Sequence, residues 1–270
     1  MNRQKLVEEI KSKRSVLCVG LDSDINKIPK QLLTEKYPLF SFNKEIIDAT
    51  AEYAVSYKLN TAFYESLGPI GWEQMQMTAE YISSNHFTIA DAKRGDIGNT
   101  GDQYAKAFFE TMNFDAVTLS PYMGKDSIDP FLADKDKWAI ILAHTSNKGA
   151  FDFQTIESKN SKLLYEEVVE KSMAWGENIM FVLGATKTEA FKKLRELSPN
   201  NFFLVPGVGA QGGDLKTVLL HAHNKDGGLL VNSSRGIIFA SSGSDFAEQA
   251  GMKAFQLREE MRTELDNLGV

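Results

Sequence analysis

Within ten residues, DAKRGDIGNT (91–100), the chain sets Asp91, Lys93, Arg94 and Asp96 directly behind HFTIA, an apolar run that reads as a buried strand. An ammonium close to carboxylates keeps its charge, because nearby opposite charges favour the ionised form, and it then offers a fixed positive field and a proton. Side chains alternate along a strand, so Ile89, Asp91 and Lys93 are expected on one face and Ala90 and Ala92 on the other. Arg94 points away from Lys93 and has no part in that chemistry. Polar residues also close other apolar runs: Asp22 after SVLCVGL, Lys58 within VSYKLN, Ser146 after WAIILAHT and Arg235 after GLLVNSS. The stretch PGVGAQGGD has four glycines between 207 and 213, which lets backbone N–H groups approach an anion closely.

These residues need elements that bring them to one place. Eight strand candidates run through the chain, at 15–22, 55–60, 87–91, 114–120, 138–146, 179–185, 202–208 and 228–234. Between them lie stretches of helical spacing such as GWEQMQMTAEYISS, SKLLYEEVVEKSMAWG and KTEAFKKLRELS, whose apolar residues recur every three or four positions. Segment 2–13 is expected to form a helix before the first strand, and 244–266 the last helix. Strand followed by helix, eight times over, predicts an α/β fold: a single (β/α)8 TIM barrel across 1–270, with buried strands that read as continuous apolar runs. A doubly wound open sheet would call for G-x-G-x-x-G after its first strand, and CVGLDSD has none. Two loops, 22–43 and 147–159, are longer than connection requires and carry no assigned duty. In such a barrel the active site lies at the C-terminal ends of the strands, where the charges fall.

Composition limits the partners. The 270 residues are 43% hydrophobic and 24% charged, ordinary globular material. A formal charge of −6 argues against a surface for nucleic acid or anionic lipid, which needs clustered Lys and Arg, so a small molecule is the expected partner. No apolar run approaches the roughly 20 residues of a membrane span, and MNRQKLVEEIKSKR reads as an amphipathic segment rather than a signal peptide. Cys18 is the one cysteine, so no intramolecular disulfide forms; it is expected in the core of a protein of the cytoplasm. The four histidines are scattered, and His221 and His223 diverge on a helix, which disfavours a metal site.

Each charged position also has a plainer use. Asp96 would serve as an N-cap, Asp91 with Lys93 as a structural ion pair, and Lys58 as a strand-end lysine reaching solvent. Arg235 and Gln211 would be surface residues, and Asp22 and Ser146 turn formers.

The motif D-x-K-x-x-D-I followed by threonine, here Asp91, Lys93, Asp96, Ile97 and Thr100, resembles that of the orotidine 5'-phosphate decarboxylase family, and DAKRGDIGNT is similar to its longer bacterial branch. GLDSD, YKLN, HTSNKGA, PGVGAQGGD and NSSRGI follow in the family's order across the chain. The resemblance implies decarboxylation of orotidine 5'-phosphate to uridine 5'-phosphate without metal or organic cofactor. Lys93 would stabilise and protonate a carbanion at C6 of the pyrimidine, while Asp91 would face the departing carboxylate and hold Lys93. Lys58 would extend a Lys–Asp–Lys–Asp array completed by Asp96 from the second subunit of a homodimer. Asp22 and Lys58 would contact one ribose hydroxyl, and Asp96 and Thr100 of the neighbour, beside Ile97, the other. Ser146 would read the pyrimidine edge. Gln211 and Arg235, with backbone groups near Gly209, Ser234 and Gly236, would grip the phosphate.

Two rivals remain. Magnesium-dependent sugar-phosphate decarboxylases and aldolases of the same superfamily share D-x-K-x-x-D but present a glutamate where this chain has Lys58. A non-catalytic phosphate-binding barrel would have no need of a lysine between aspartates.

Overall fold

A computed structural model of the chain describes residues 1–82, 84–185, 188–208 and 214–270. Eight parallel strands close on themselves in sequence order: β1 (Leu17–Gly20), β2 (Ser56–Asn60), β3 (Phe87–Arg94), β4 (Ala116–Leu119), β5 (Trp138–His144), β6 (Ile179–Leu183), β7 (Phe202–Pro206) and β8 (Leu229–Ser233). The closing pair is β1 with β8, registered Leu17 to Val231 and Val19 to Ser233. Closure leaves no sheet edge, and the strands are buried along nearly all their length, as the unbroken apolar runs require. All eight expected strands are present.

The helices follow in chain order: α1 (Arg3–Lys13), α2 (Pro38–Thr50), α3 (Ala62–Glu65), α4 (Pro69–Tyr81), α5 (Gly98–Lys106), α6 (Asp129–Leu132), α7 (Ala150–Phe153), α8 (Leu164–Met173), α9 (Thr188–Leu197), α10 (Leu215–Ala222), α11 (Arg235–Ile238) and α12 (Phe246–Leu268). Helix α1 is capped by Asn2, whose side chain accepts from the backbone N–H of Lys5, and it buries Leu6 and Ile10. Helix α12 packs on α2, where Phe42 stacks between Phe239 and Phe246 at ring distances of 5.8 and 5.3 Å.

Three expectations need correction. Segment 22–43 is not all loop: Lys30–Thr34 forms a 3-10 turn and α2 begins at Pro38. Proline suits the first helical turn, and Leu39, Phe42, Ile46 and Ile47 then recur at helical spacing on a buried face. Segment 147–159 likewise holds α7 and a bridge from Glu157 to Leu163. The third concerns β3, which does not stop at Asp91 but runs on to Arg94 through a bulge. Its pairing with β4 goes from Ala90–Val117 directly to Arg94–Leu119, so three residues of β3 face one of β4.

Candidate active site

The register of β1, β2 and β3 brings the charges together. Gly20 pairs with Lys58 and Asn60 with Asp91. The Lys58 ammonium lies 3.0 Å from Asp22 Oδ1 and 3.1 Å from Asp91 Oδ2. Lys93 Nζ donates to the other oxygen of Asp91, Oδ1, at 2.6 Å. Lys58 does not reach solvent: its side chain is 4% exposed, whereas that of Lys93 is 49% exposed and open to the mouth of the barrel.

Burial opposes the charge on Lys58, yet Asp22 and Asp91 outweigh it and push its pKa above the ordinary lysine value. Burial also opposes the charge on Asp91, and Lys58 and Lys93 more than offset it, holding the carboxyl well below the usual carboxylate range. The result is an alternating row, Asp22–Lys58–Asp91–Lys93.

Simple strand alternation does not produce this row unaided. Lys93 sits in the bulge with φ +49°, in the left-handed region that costs a residue with a side chain roughly 1–2 kcal/mol. Arg94 turns outward as expected. It pairs with Glu65, donates to the Ala92 carbonyl and lies over the rings of Tyr104 and Phe108 at 5.5 and 5.6 Å. Its duty is to pin the end of β3 to α3 and α5.

Asp22 lies two residues past β1 on a loop held from behind. Tyr64 donates to the Leu21 carbonyl at 3.1 Å, Asn43 donates to the Tyr64 hydroxyl at 2.9 Å, and Ser23 donates to Asn43 Oδ1 at 2.5 Å. All of this chain is buried. Sequence reading assigned no role to Ser23, Asn43 or Tyr64, because the chain joins a strand end to two helices far away in sequence.

A cavity of about 150 Å³ joins this row to the end of β8. Asp22, Lys58 and Asp91 line one side, and Ser234 and Arg235 the other. Ser234 precedes α11, and its Oγ accepts from Asn232 Nδ2 at 3.2 Å. The hydroxyl reaches that place because residue 20 is glycine: a Cβ there would sit 1.9 Å from Ser234 Oγ. Cys18 is buried below, as expected, where burial pushes its thiol up to about 12, and it lies 3.6 Å from Asn232 Oδ1. Gly236 follows on α11 and faces the adjoining hollow beside Val208. Gln211 and Gly209 lie outside the described residues.

Two groups stand apart from the row. Ser146 follows β5, packed so closely on Gly184 that a Cβ there would lie 2.8 Å from its own, and it does not line the 150 Å³ cavity. Asp96, Ile97 and Thr100 lie at the start of α5. The Asp96 carboxylate accepts from the N–H of Ile97 at 2.9 Å and makes no ion pair among the described residues. It is not the N-cap, which is Ile97, so the capping use does not hold. Ile97 and Thr100 are exposed, and so are Tyr122 and Met123 of the loop after β4.

Sequence reading missed two residues at the row. Asn60 lines the cavity at the end of β2, and the rule that strand ends carry function would have picked it out. Thr118, on β4, donates to Asp91 Oδ1 at 2.9 Å and accepts from the Lys93 N–H at 3.0 Å; a threonine inside an apolar strand gave no sign of it.

The sequence and the fold that carry this row are shared with known proteins. Residues 15–250 match the model of the orotidine 5'-phosphate decarboxylase / HUMPS family. The chain belongs to that family. Its relatives include the orotidine 5'-phosphate decarboxylase of Christiangramia forsetii, 55% identical over 99% of this chain and 100% of the relative, and that of Flavobacterium johnsoniae, 54% identical over 99% of each. Among solved structures, the OMP decarboxylase of Leishmania donovani superposes with a TM-score of 0.81 at 36% identity, covering 96% of this chain and 99% of its own.

Proposed function

We propose that this site decarboxylates orotidine 5'-phosphate through Lys93, without metal or organic cofactor. The overall reaction, orotidine 5'-phosphate to uridine 5'-phosphate and carbon dioxide, is that of the family, and the chain is a carboxy-lyase of UMP biosynthesis. The bond from C6 to the carboxylate breaks, its electron pair stays on C6, and the proton on Lys93 Nζ moves to that carbon; solvent then reprotonates the amine. The observation that carries this reading is the half-exposed Lys93 ammonium, 2.6 Å from a carboxylate that Lys58 already holds from the other side.

Magnitudes decide how the groups share the work. A substrate carboxylate about 4 Å from Asp91 is repelled by roughly 4 kcal/mol at an effective dielectric near 20, about three powers of ten in rate. Repulsion therefore assists but does not suffice. The larger part comes from an ammonium already in place where negative charge develops, and from binding energy on the remote phosphate, which Arg235, Ser234, Gly236 and Gln211 would supply.

Lys58 also weighs against a magnesium reading. Its ammonium stands between Asp22 and Asp91, so these carboxylates already face a protein cation where the magnesium enzymes present a further acid. Asp22 and Lys58 would hold one ribose hydroxyl. Asp96 and Thr100 would reach the site of a second subunit, a reading supported by the exposure of Ile97 and Thr100 and by an Asp96 carboxylate that makes no ion pair among the described residues. Ser146 would read the pyrimidine edge. The cytoplasm is the proposed site of action.

Incubating the purified protein with orotidine 5'-phosphate and excess chelator, and following the ultraviolet change from orotidylate to uridylate, tests the reading. Turnover is expected to be indifferent to chelator; loss on chelation with recovery on added magnesium would overturn it. Mixing the inactive variants Asp96→Ala and Lys93→Ala is expected to restore about a quarter of wild-type activity, from hybrid dimers with one intact site of two. No recovery despite verified subunit exchange would return Asp96 to its own subunit.

A further inference from the structure

The bulge in β3 creates a problem that one side chain solves. Between the pairs Ala90–Val117 and Arg94–Leu119, the residues Asp91, Ala92 and Lys93 all face Thr118. The bulge takes Lys93 out of the ladder pairing with β4, and a backbone N–H calls for an acceptor. Thr118 Oγ1 supplies one, accepting from Lys93 N at 3.0 Å. The single proton of the same hydroxyl goes to Asp91 Oδ1 at 2.9 Å, the oxygen that also receives Lys93 Nζ at 2.6 Å. A hydroxyl has one proton and two lone pairs, so both roles are satisfied together and each fixes the other's direction. Thr118 is 1% exposed, which excludes competing water, and β-branching limits its rotamers.

We propose that Thr118 is a positioning residue of the decarboxylation: one oxygen holds the backbone of Lys93 and the carboxylate of Asp91, and so sets the ammonium against the carboxylate before substrate arrives. The reason lies in what Lys93 lacks. Its side chain is half-exposed on a flexible stem, so its position depends on the direction in which its backbone launches it and on its carboxylate partner. The left-handed φ of +49° is the launching direction, and the bond from Lys93 N to Thr118 holds it. Lys58 steadies only the other oxygen of Asp91, Oδ2. Without the hydroxyl, Oδ1 would have Lys93 alone, and the carboxylate would be free to turn about its remaining bond to Lys58.

The inference rests on Lys93 and Asp91 acting as described under Proposed function, and Lys93→Ala tests that reading separately. Thr118→Val keeps the shape and removes the hydroxyl; Thr118→Ser restores it. Steady-state assays with orotidine 5'-phosphate and titration calorimetry with uridine 5'-phosphate give the comparison. The Val variant is expected to lose about 10- to 100-fold in kcat, as misplacement of a catalytic group by a fraction of an ångström does, with KM and product affinity within about threefold of wild type. The Ser variant should recover kcat to within about threefold. A Val variant with near-wild-type kcat would overturn the inference, as would a loss that Ser does not repair or a product affinity falling in step with kcat. If the Val variant does not fold, Thr118→Ala replaces it in the same comparison. Should Val and Ala both melt early while their folded fraction turns over normally, the hydroxyl serves folding alone and the inference fails. Normal turnover in Lys93→Ala would instead sink the underlying reading.

Discussion

The two ends of the barrel bury cations in opposite ways. At the floor, where strands begin, Arg195 donates to the carbonyls of Ser198, Asn201, Ala222 and Gly228 at 2.5 to 3.1 Å and lies 3.9 Å over the ring of Phe203. Lys13 likewise donates to the carbonyls of Ala51 and Ala54 at 3.0 and 2.7 Å. Burial pulls the pKa of both downward, because neutral carbonyls, with Glu9 no nearer than 3.9 Å to Lys13, do not make good the lost hydration. At the mouth, Lys58 is buried more deeply and its pKa rises instead, because its partners are carboxylates. Floor cations tie loop ends together and every donor is used. Mouth cations face acids, and one of them, Lys93, keeps half its side chain exposed. Burial is common to both ends, and the partner decides whether a buried cation's pKa falls or rises.

Removing Lys93 should separate the two uses most sharply. Lys93→Ala is expected to lower kcat by at least about four powers of ten, since general-acid and electrostatic contributions are both lost, while its melting temperature stays near wild type because the side chain is half-exposed. A melting temperature that falls as steeply as turnover would erase the distinction between mouth and floor.

The converse experiment is Arg195→Met. Five carbonyls, that of Pro199 at 3.4 Å included, lose their donor, and unfolding in urea should show a loss of about 2–3 kcal/mol, with kcat and KM unchanged at temperatures where the variant is folded. A change in KM without a change in stability would mean that the floor communicates with the site.

The smallest effect is in the pH dependence of stability. The folded pKa of Asp91 is depressed, so its stabilisation is present above about pH 4 and lost as the pH falls below the unfolded carboxylate value. The folded pKa of Lys58 is raised, so its contribution is complete below about pH 10 and is lost as pH climbs through the folded value. The stability difference between wild type and Asp91→Asn should therefore hold level between about pH 5 and 9 and shrink on the acid side. Urea titrations across that range check it; a difference that grows towards acid would reverse the assigned sign.

Much of this was legible in the residues. Apolar runs with polar ends at Asp22, Lys58, Asp91 and Arg235 pointed to a barrel and to its active end, and the spacing of Asp91, Lys93 and Asp96 pointed to the chemistry. Helix α2 was legible too, with Pro38 at its start and Leu39, Phe42 and Ile46 at helical spacing, although the segment reads as a long loop when only its polar residues are weighed. Thr118 was not legible, nor were Asn43 and Tyr64 behind Asp22. An isolated polar residue in an apolar strand or helix carries no local mark of what it will face.

The sequence by itself determined which residue types stand at the ends of which elements, because strand and helix periods act over a few neighbouring positions. Only the tertiary structure decided which atoms meet: Lys58 sealed between Asp22 and Asp91, and Lys93 turned by a bulge onto the hydroxyl of Thr118. Those meetings depend on strand register and on closure of the sheet, and both are settled by packing across the whole barrel rather than by any one segment.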